Sequence, residues 1–79
     1  MAGRITEKEQ EFRKGKDQKI NMEREIEDAK YGLYAEAWII ADNLLNQAMV
    51  NAISLHDKSK IDEIRELLNK CKRKEKIEL

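Results

Sequence analysis

The sequence has few of the residues that interrupt or cross-link a fold. Its 79 residues contain no proline, three glycines and one cysteine. A single cysteine excludes a disulfide within the chain and is typical of proteins from a reducing compartment, so we expect a cytoplasmic location. One cysteine and one histidine, Cys71 and His56, are too few for a structural zinc site. The sequence therefore predicts neither a metal nor a cofactor.

An excess of one charge and a long apolar run are also missing. Sixteen basic residues balance sixteen acidic ones, so the whole chain lacks the basic surplus of a typical nucleic-acid-binding domain. No apolar run approaches the roughly 18–20 residues that span a bilayer, and Met1 to Ile5 lack the apolar stretch of a signal peptide. Nucleophile-elbow, zinc-protease and phosphate-loop motifs are absent as well. We expect a protein with no membrane association and no enzymatic activity.

The residues that are present favour helices. Charged residues and hydrophobic residues each make up 41% of the chain, and the alternation typical of strands is missing. The sequence predicts an all-α helical hairpin domain over residues 23–79, with a long central helix at about residues 23–56 and a second helix at about residues 60–76. Residues 1–22 are predicted to form a separate charged N-terminal arm or short helix, with Thr6 and Glu9 at capping-box spacing.

The second helix has a clear start signal and a clear apolar face. Ser59, followed three residues later by Asp62, predicts its N-terminus. The apolar face follows helical spacing and consists of Ile61, Ile64, Leu68 and Cys71, with Leu67 alongside.

One face of the central helix is expected to pack against other helices. The predicted interface consists of Tyr34, Ala37, Trp38, Ala41, Leu45, Ala48, Met49 and Ala52. A helix of about 30 residues is about 45 Å long, roughly twice the length of the second helix, so this chain alone would leave part of that face uncovered. We therefore expect a homo-oligomer, in particular a dimer that forms a helical bundle.

A second face of the same helix is predicted to contact a protein partner or a ligand. It carries Ile39, Ile40, Asn43, Gln47, Val50 and Asn51, with Glu36, Asn46 and Ser54 beside them. Amides mixed with β-branched residues are typical of contact surfaces, although a neutral solvent-facing surface would give the same pattern. If Asn43, Gln47 and Asn51 face a symmetry mate, these amides would set the register of the assembly.

These features favour a small helical protein that self-associates and binds or regulates a larger protein, as adaptors and inhibitors do. One alternative is a nucleic-acid-associated protein that binds phosphates through Arg13, Lys14, Lys16, Lys70, Lys72, Arg73 and Lys74. Cations at a helix C-terminus also complement its dipole without any ligand. The other alternative is sequestration of a small ligand at a subunit interface, with Tyr31, Trp38, Asn43 and Gln47 as pocket residues.

Overall fold

The computed structural model describes the backbone of residues 7–79 and the side chains of residues 16–79. Over that range the chain forms three helices, α1 (Glu7–Tyr34), α2 (Trp38–Ser54) and α3 (Lys58–Lys72), and no strand. The predicted all-α class is therefore confirmed. α1 and α2 pack as an antiparallel hairpin, and α3 packs mainly against α2. The proposed Thr6 cap lies outside the described residues.

The prediction of one long central helix at about 23–56 is wrong, because the chain turns back between Tyr34 and Trp38. Glu36 adopts a left-handed φ of 60°. The N–H groups of Glu36 and Ala37 donate to the carbonyls of Leu33 and Gly32, at 3.2 and 2.8 Å. This Schellman arrangement satisfies the last carbonyls of α1 and ends it. Glycine is the usual residue at the left-handed position, so a glutamate there gave no sign of the break.

The same arrangement ends the other two helices. His56 and Lys74 each adopt a φ of 54°, and the residue after each one donates its N–H to the carbonyl five residues back along the chain. The second predicted helix therefore ends at Lys72 and does not reach residue 76. All three helices stop at a non-glycine residue in the left-handed region.

The N-terminus of α3 also differs from the sequence expectation. Asp57, and not Ser59, is the cap, because its Oδ1 accepts a hydrogen bond from the Lys60 backbone N–H at 3.2 Å. α2 has no equivalent, since Ala37 occupies the cap position and has no side chain that can accept a hydrogen bond. The α1–α2 and α2–α3 connections thus follow a similar backbone path, but only α3 receives a side-chain cap.

The predicted boundary between residues 22 and 23 falls inside α1, which runs unbroken from Glu7 to Tyr34. Gln18 Nε2 donates to Asn51 Oδ1 at 3.3 Å, so the end of α2 lies level with Gln18. Asn51 Nδ2 donates in turn to Glu25 Oε1 at 2.7 Å. The N-terminal turns of α1 before about residue 15 therefore extend past the end of α2, since 28 helical residues span about 42 Å and 17 span about 26 Å.

The core lies between the three helices and is small in side-chain volume. Its buried residues recur at spacings of three and four, and they are Met22, Ile26, Ala29, Leu33, Ala41, Leu45, Ala48, Ala52, Ile64, Leu67 and Cys71. A Cβ added at Gly32 would lie 3.1 Å from the Ala41 Cβ, so α1 and α2 approach closely near their connection. Small residues at facing positions permit this short interaxial distance.

The apolar stripe of α3 is confirmed. Ile64, Leu67 and Cys71 are buried, and Ile61 and Leu68 pack against the same core. A Lys30–Glu63 ion pair at 3.4 Å joins α1 to α3, although such a half-exposed pair contributes little. Within the described range, the helices are too short or too polar for any of them to cross a bilayer.

Candidate interaction surface

α2 is the middle helix of the fold, yet one of its faces is covered by neither neighbour. Ala41, Leu45, Ala48 and Ala52 lie on the inner side against α1 and α3. The opposite side of α2 is referred to below as the outer face. It consists of Ile39, Ile40, Asn43, Asn46, Gln47, Val50 and Ile53, all of them exposed.

The outer face is apolar and carries no charge. The exposed fraction is 80% for Ile39, 67% for Val50, 59% for Ile40 and 56% for Ile53. The only charged residue of α2 is Asp42, at the edge of this face, although charged residues make up 41% of the chain. Single exposed aliphatic residues are normal on protein surfaces, but four on one side of one helix form a patch of the kind that marks interaction sites.

Five of the six residues predicted as a partner or ligand face are exposed on the outer face, Asn51 is not, and Ile53 joins them. Asn51 is half-buried and bound to Gln18 and Glu25 of α1, so it does not lie on the outer face. Asn51 therefore fixes the register within the hairpin. Of the three amides predicted to face a symmetry mate, only Asn43 and Gln47 lie on the outer face. Ile53 was missed, although it continues the spacing from Val50 and periodicity alone would have found it.

The residues predicted as a subunit interface are divided between the core and the surface. Ala41, Leu45, Ala48 and Ala52 are fully buried within this chain, and their cover comes from α1 and α3. We expected the chain to be too short to cover this inner side of α2, and that premise is therefore wrong. Trp38 and Met49 are half-buried and pack against the core, and Ala37 lies in the connection before α2.

Tyr34 differs from the other predicted interface residues, because it is exposed at the end of α1. The Lys76 Nζ lies 5.3 Å from the centre of its ring, within the range of a cation–π contact. The segment after α3 thus folds back toward the α1–α2 connection, and Ile77 reaches the core from there.

Two shallow depressions adjoin the outer face near the start of α2. Glu36, Ala37, Trp38, Ile39 and Ile40 line one of them. The other is lined by Trp38 and Ile39 with Asp42, Cys71 and Lys72. Both extend the apolar surface at the Ile39 end.

Cys71 lines the second depression but is only 6% exposed. Its Sγ donates to the Trp38 carbonyl oxygen at 3.3 Å. Burial, and to a smaller extent the nearby Asp42 carboxylate, raises the pKa of the Cys71 thiol. A protonated, buried thiol behaves as a small apolar residue. No group of three or more metal-ligating side chains occurs among residues 16–79.

The structure does not bring the predicted nucleic-acid residues together. Lys16 is exposed on α1, two residues before Gln18, at the end of the hairpin where α2 finishes. Lys72, Arg73 and Lys74 follow Cys71, which contacts Trp38 at the other end of α2. The two groups are separated by about the 26 Å length of α2, and Lys70 is half-buried. Arg13 and Lys14 belong to the part of α1 whose side chains are not described.

The predicted ligand residues are likewise not gathered into one pocket. Tyr31 is exposed on α1, on the side away from Ala29 and Leu33, which face the core. Asn43 and Gln47 project from α2 into solvent. The aromatic ring of Tyr31 and these two amides therefore point in different directions.

Comparison of the chain with protein-family models, with curated proteins and with solved structures gives no match. Functional inference therefore starts from the surface of the molecule. Among the described side chains, the outer face of α2 is the feature that the requirements of folding leave unexplained, because none of its exposed aliphatic residues belongs to the core.

Proposed function

We propose that this chain is a non-enzymatic protein-interaction module, and that the outer face of α2 is the surface that contacts another polypeptide. One observation carries the proposal: Ile39, Val50 and their neighbours are more than half exposed on a helix face without charge. Both partner classes expected from the sequence, a second copy and a larger protein that it binds or regulates, would dock on this face.

The energetics agree with a contact of moderate strength. Full burial of a Val or Ile side chain is worth about 1.5–3 kcal/mol, and four such side chains here retain more than half of their surface in water. Covering them would contribute on the order of 4–8 kcal/mol, comparable with the cost of lost freedom on association. Asn43, Asn46 and Gln47 would therefore need hydrogen-bond partners across the contact, since an unpaired buried amide opposes binding.

The amides also suit a contact that forms and dissociates. An interface of aliphatic residues alone would leave a strongly apolar patch on the free protein, which favours aggregation. Three amides between Ile39 and Ile53 keep the free surface hydrated and still supply donors and acceptors when it is covered.

Site-specific photo-crosslinking tests this proposal. A photoreactive amino acid replaces Val50 in the full chain, inside the cells that normally produce it, and a matched chain carries it at Ile20, which is exposed on α1. We expect a covalent adduct of defined mass at position 50 that is absent at position 20, with this chain or one second polypeptide as the attached partner. Equal crosslinking at both positions, or none at position 50, would contradict the proposal.

A further inference from the structure

The occupant of the outer face can be inferred from the arrangement of its residues, if that face is the contact surface proposed above. Ile39, Asn43, Asn46, Val50 and Ile53 form a single stripe along α2 at spacings of four, three, four and three. Ile39 and Ile53 each lie seven residues from Asn46. The two ends of the stripe are therefore isoleucines at equal distances from its centre, while inside it Asn43 lies three residues before Asn46 and Val50 four residues after it.

We infer that the occupant is a second copy of this chain, paired antiparallel through α2 about a twofold axis near Asn46. In that arrangement Ile39 of each copy meets Ile53 of the other copy, and Asn43 meets Val50. A twofold interface requires the same patch to fit itself, and the equidistant isoleucines meet this requirement at both ends of the stripe.

The charge of the face is compatible with a second copy. The seven residues of the outer face carry no ionised side chain, and Asp42 at its edge would lie about 12 Å along the paired helices from its own image. Pairing the face with itself therefore places no like charges in contact, and such contact is a principal barrier to self-association. Asn46 also has the chemistry for a position on the axis. Its Nδ2 donates to Asp42 Oδ2 at 3.3 Å, which leaves its Oδ1 and a second N–H for its own image across the axis. A central polar residue of this kind fixes register in paired helices.

The ends of α2 favour the antiparallel orientation over the parallel one. Glu36 borders the face at the start of α2, and the turn with His56 and Lys58 follows its end. Antiparallel pairing brings Glu36 toward Lys58 of the second copy, whereas parallel pairing would bring it toward Glu36 of that copy. Opposed helix dipoles favour the same choice.

Sedimentation equilibrium of the full chain from about 1 to about 300 µM tests the inference. We expect a monomer–dimer equilibrium for the wild type and a monomer with an unchanged helical spectrum for Val50→Glu. Ile20→Glu is the matched control, because it makes the same type of change on α1, and we expect it to dimerise like the wild type.

A charge-pair variant then tests the orientation. In the inferred register position 43 faces position 50, so Asn43→Lys combined with Val50→Glu places opposite charges across the contact twice and should restore the dimer. In a parallel pair each position faces itself, and the same double variant would stay a monomer. A monomeric wild type, or a Val50→Glu chain that dimerises normally, would overturn the inference. Failure of the double variant to recover would overturn the antiparallel register.

These outcomes differ from those that bear on the proposed function. A monomeric wild type that still forms a position-specific adduct with a different polypeptide at position 50 would keep the interaction surface and remove the second copy as its occupant. If neither the dimer nor the adduct forms, the proposed interaction surface and the inferred second copy are both rejected.

Discussion

Replacing Ala37 with aspartate should stabilise the chain, because α2 begins without a side-chain cap. The backbone at Ala37 (φ −86°, ψ 72°) resembles that at Asp57 (φ −92°, ψ 89°), which caps α3. Asp57 Oδ1 accepts from the N–H three residues on, at 3.2 Å. An aspartate at position 37 would reach the Ile40 N–H in the same way.

The expected gain in stability is the energy of the side-chain cap that α3 has and α2 lacks. A side-chain cap is typically worth about 1 kcal/mol, and a negative charge in the first turn adds about 0.3–1 kcal/mol through the helix dipole. Glu36 and Asp42 oppose an additional carboxylate in this region, so we expect a net gain of about 1 kcal/mol for Ala37→Asp. In a domain of this size that gain raises the melting temperature by about 4–8 °C.

Urea and thermal unfolding followed by far-UV circular dichroism would measure the change. Asp57→Ala is the reciprocal variant and should lose about 1 kcal/mol. Ala37→Asn separates the hydrogen bond from the charge, because it caps without adding a carboxylate. If Ala37→Asp is neutral or destabilising while Asp57→Ala destabilises, the backbone described for the α1–α2 connection is refuted.

Three further substitutions and one labelling experiment test the helix ends, the α1–α2 packing and Cys71. Glu36→Gly and His56→Gly should each stabilise the chain by about 0.5–1 kcal/mol in urea unfolding, because both residues hold a left-handed φ; a loss of stability would contradict that backbone. Gly32→Val should destabilise the chain by about 1–3 kcal/mol, since its Cβ would lie 3.1 Å from that of Ala41, and an unchanged midpoint would mean that α1 and α2 are further apart. The burial and raised pKa of Cys71 predict slow reaction with a thiol reagent at neutral pH and faster reaction in urea. Equal rates in the folded and unfolded chain would show an exposed thiol.

The same raised pKa has a consequence for stability against pH. A thiol whose pKa is higher in the folded state than in the unfolded state contributes stability that is fully present below the unfolded value, near 9.0, and is lost as pH rises through the folded value. The midpoint of urea unfolding should therefore fall above about pH 9, and a Cys71→Ala chain should lose less stability over that interval.

The sequence predicted α3 and its buried stripe because spacings of three and four continue without interruption from Ile61 to Cys71. It failed at Glu36, because the left-handed position that ends a helix was filled by a residue with good helix propensity. Periodicity identified the buried side of α2 correctly at Ala41 and Ala48. It could not show that α1 of the same chain covers that side, since periodicity reports which residues are buried and not what buries them.

The exposure of the outer face could be read from the sequence for a related reason, while its role as a contact surface stays a prediction. Charge is nearly absent from α2, and composition alone shows this. The position of Asn51 was not predictable, because its hydrogen bonds to Gln18 and Glu25 depend on the hairpin that the hidden break creates.

The central claim, that the outer face of α2 pairs with its own image, is tested most directly by a distance between two copies. A nitroxide attached at position 54, which is exposed at the end of α2 and outside the outer face, reports the separation of two labels by pulsed electron paramagnetic resonance in a chain whose Cys71 is replaced by alanine. In the antiparallel pair the two positions lie about 24 Å apart along the helices and about 8–10 Å apart across them, so we predict one narrow intermolecular distance between about 20 and 40 Å, which disappears when Val50→Glu is added. No dipolar coupling between copies, or a coupling that persists in the Val50→Glu background, would contradict the claim.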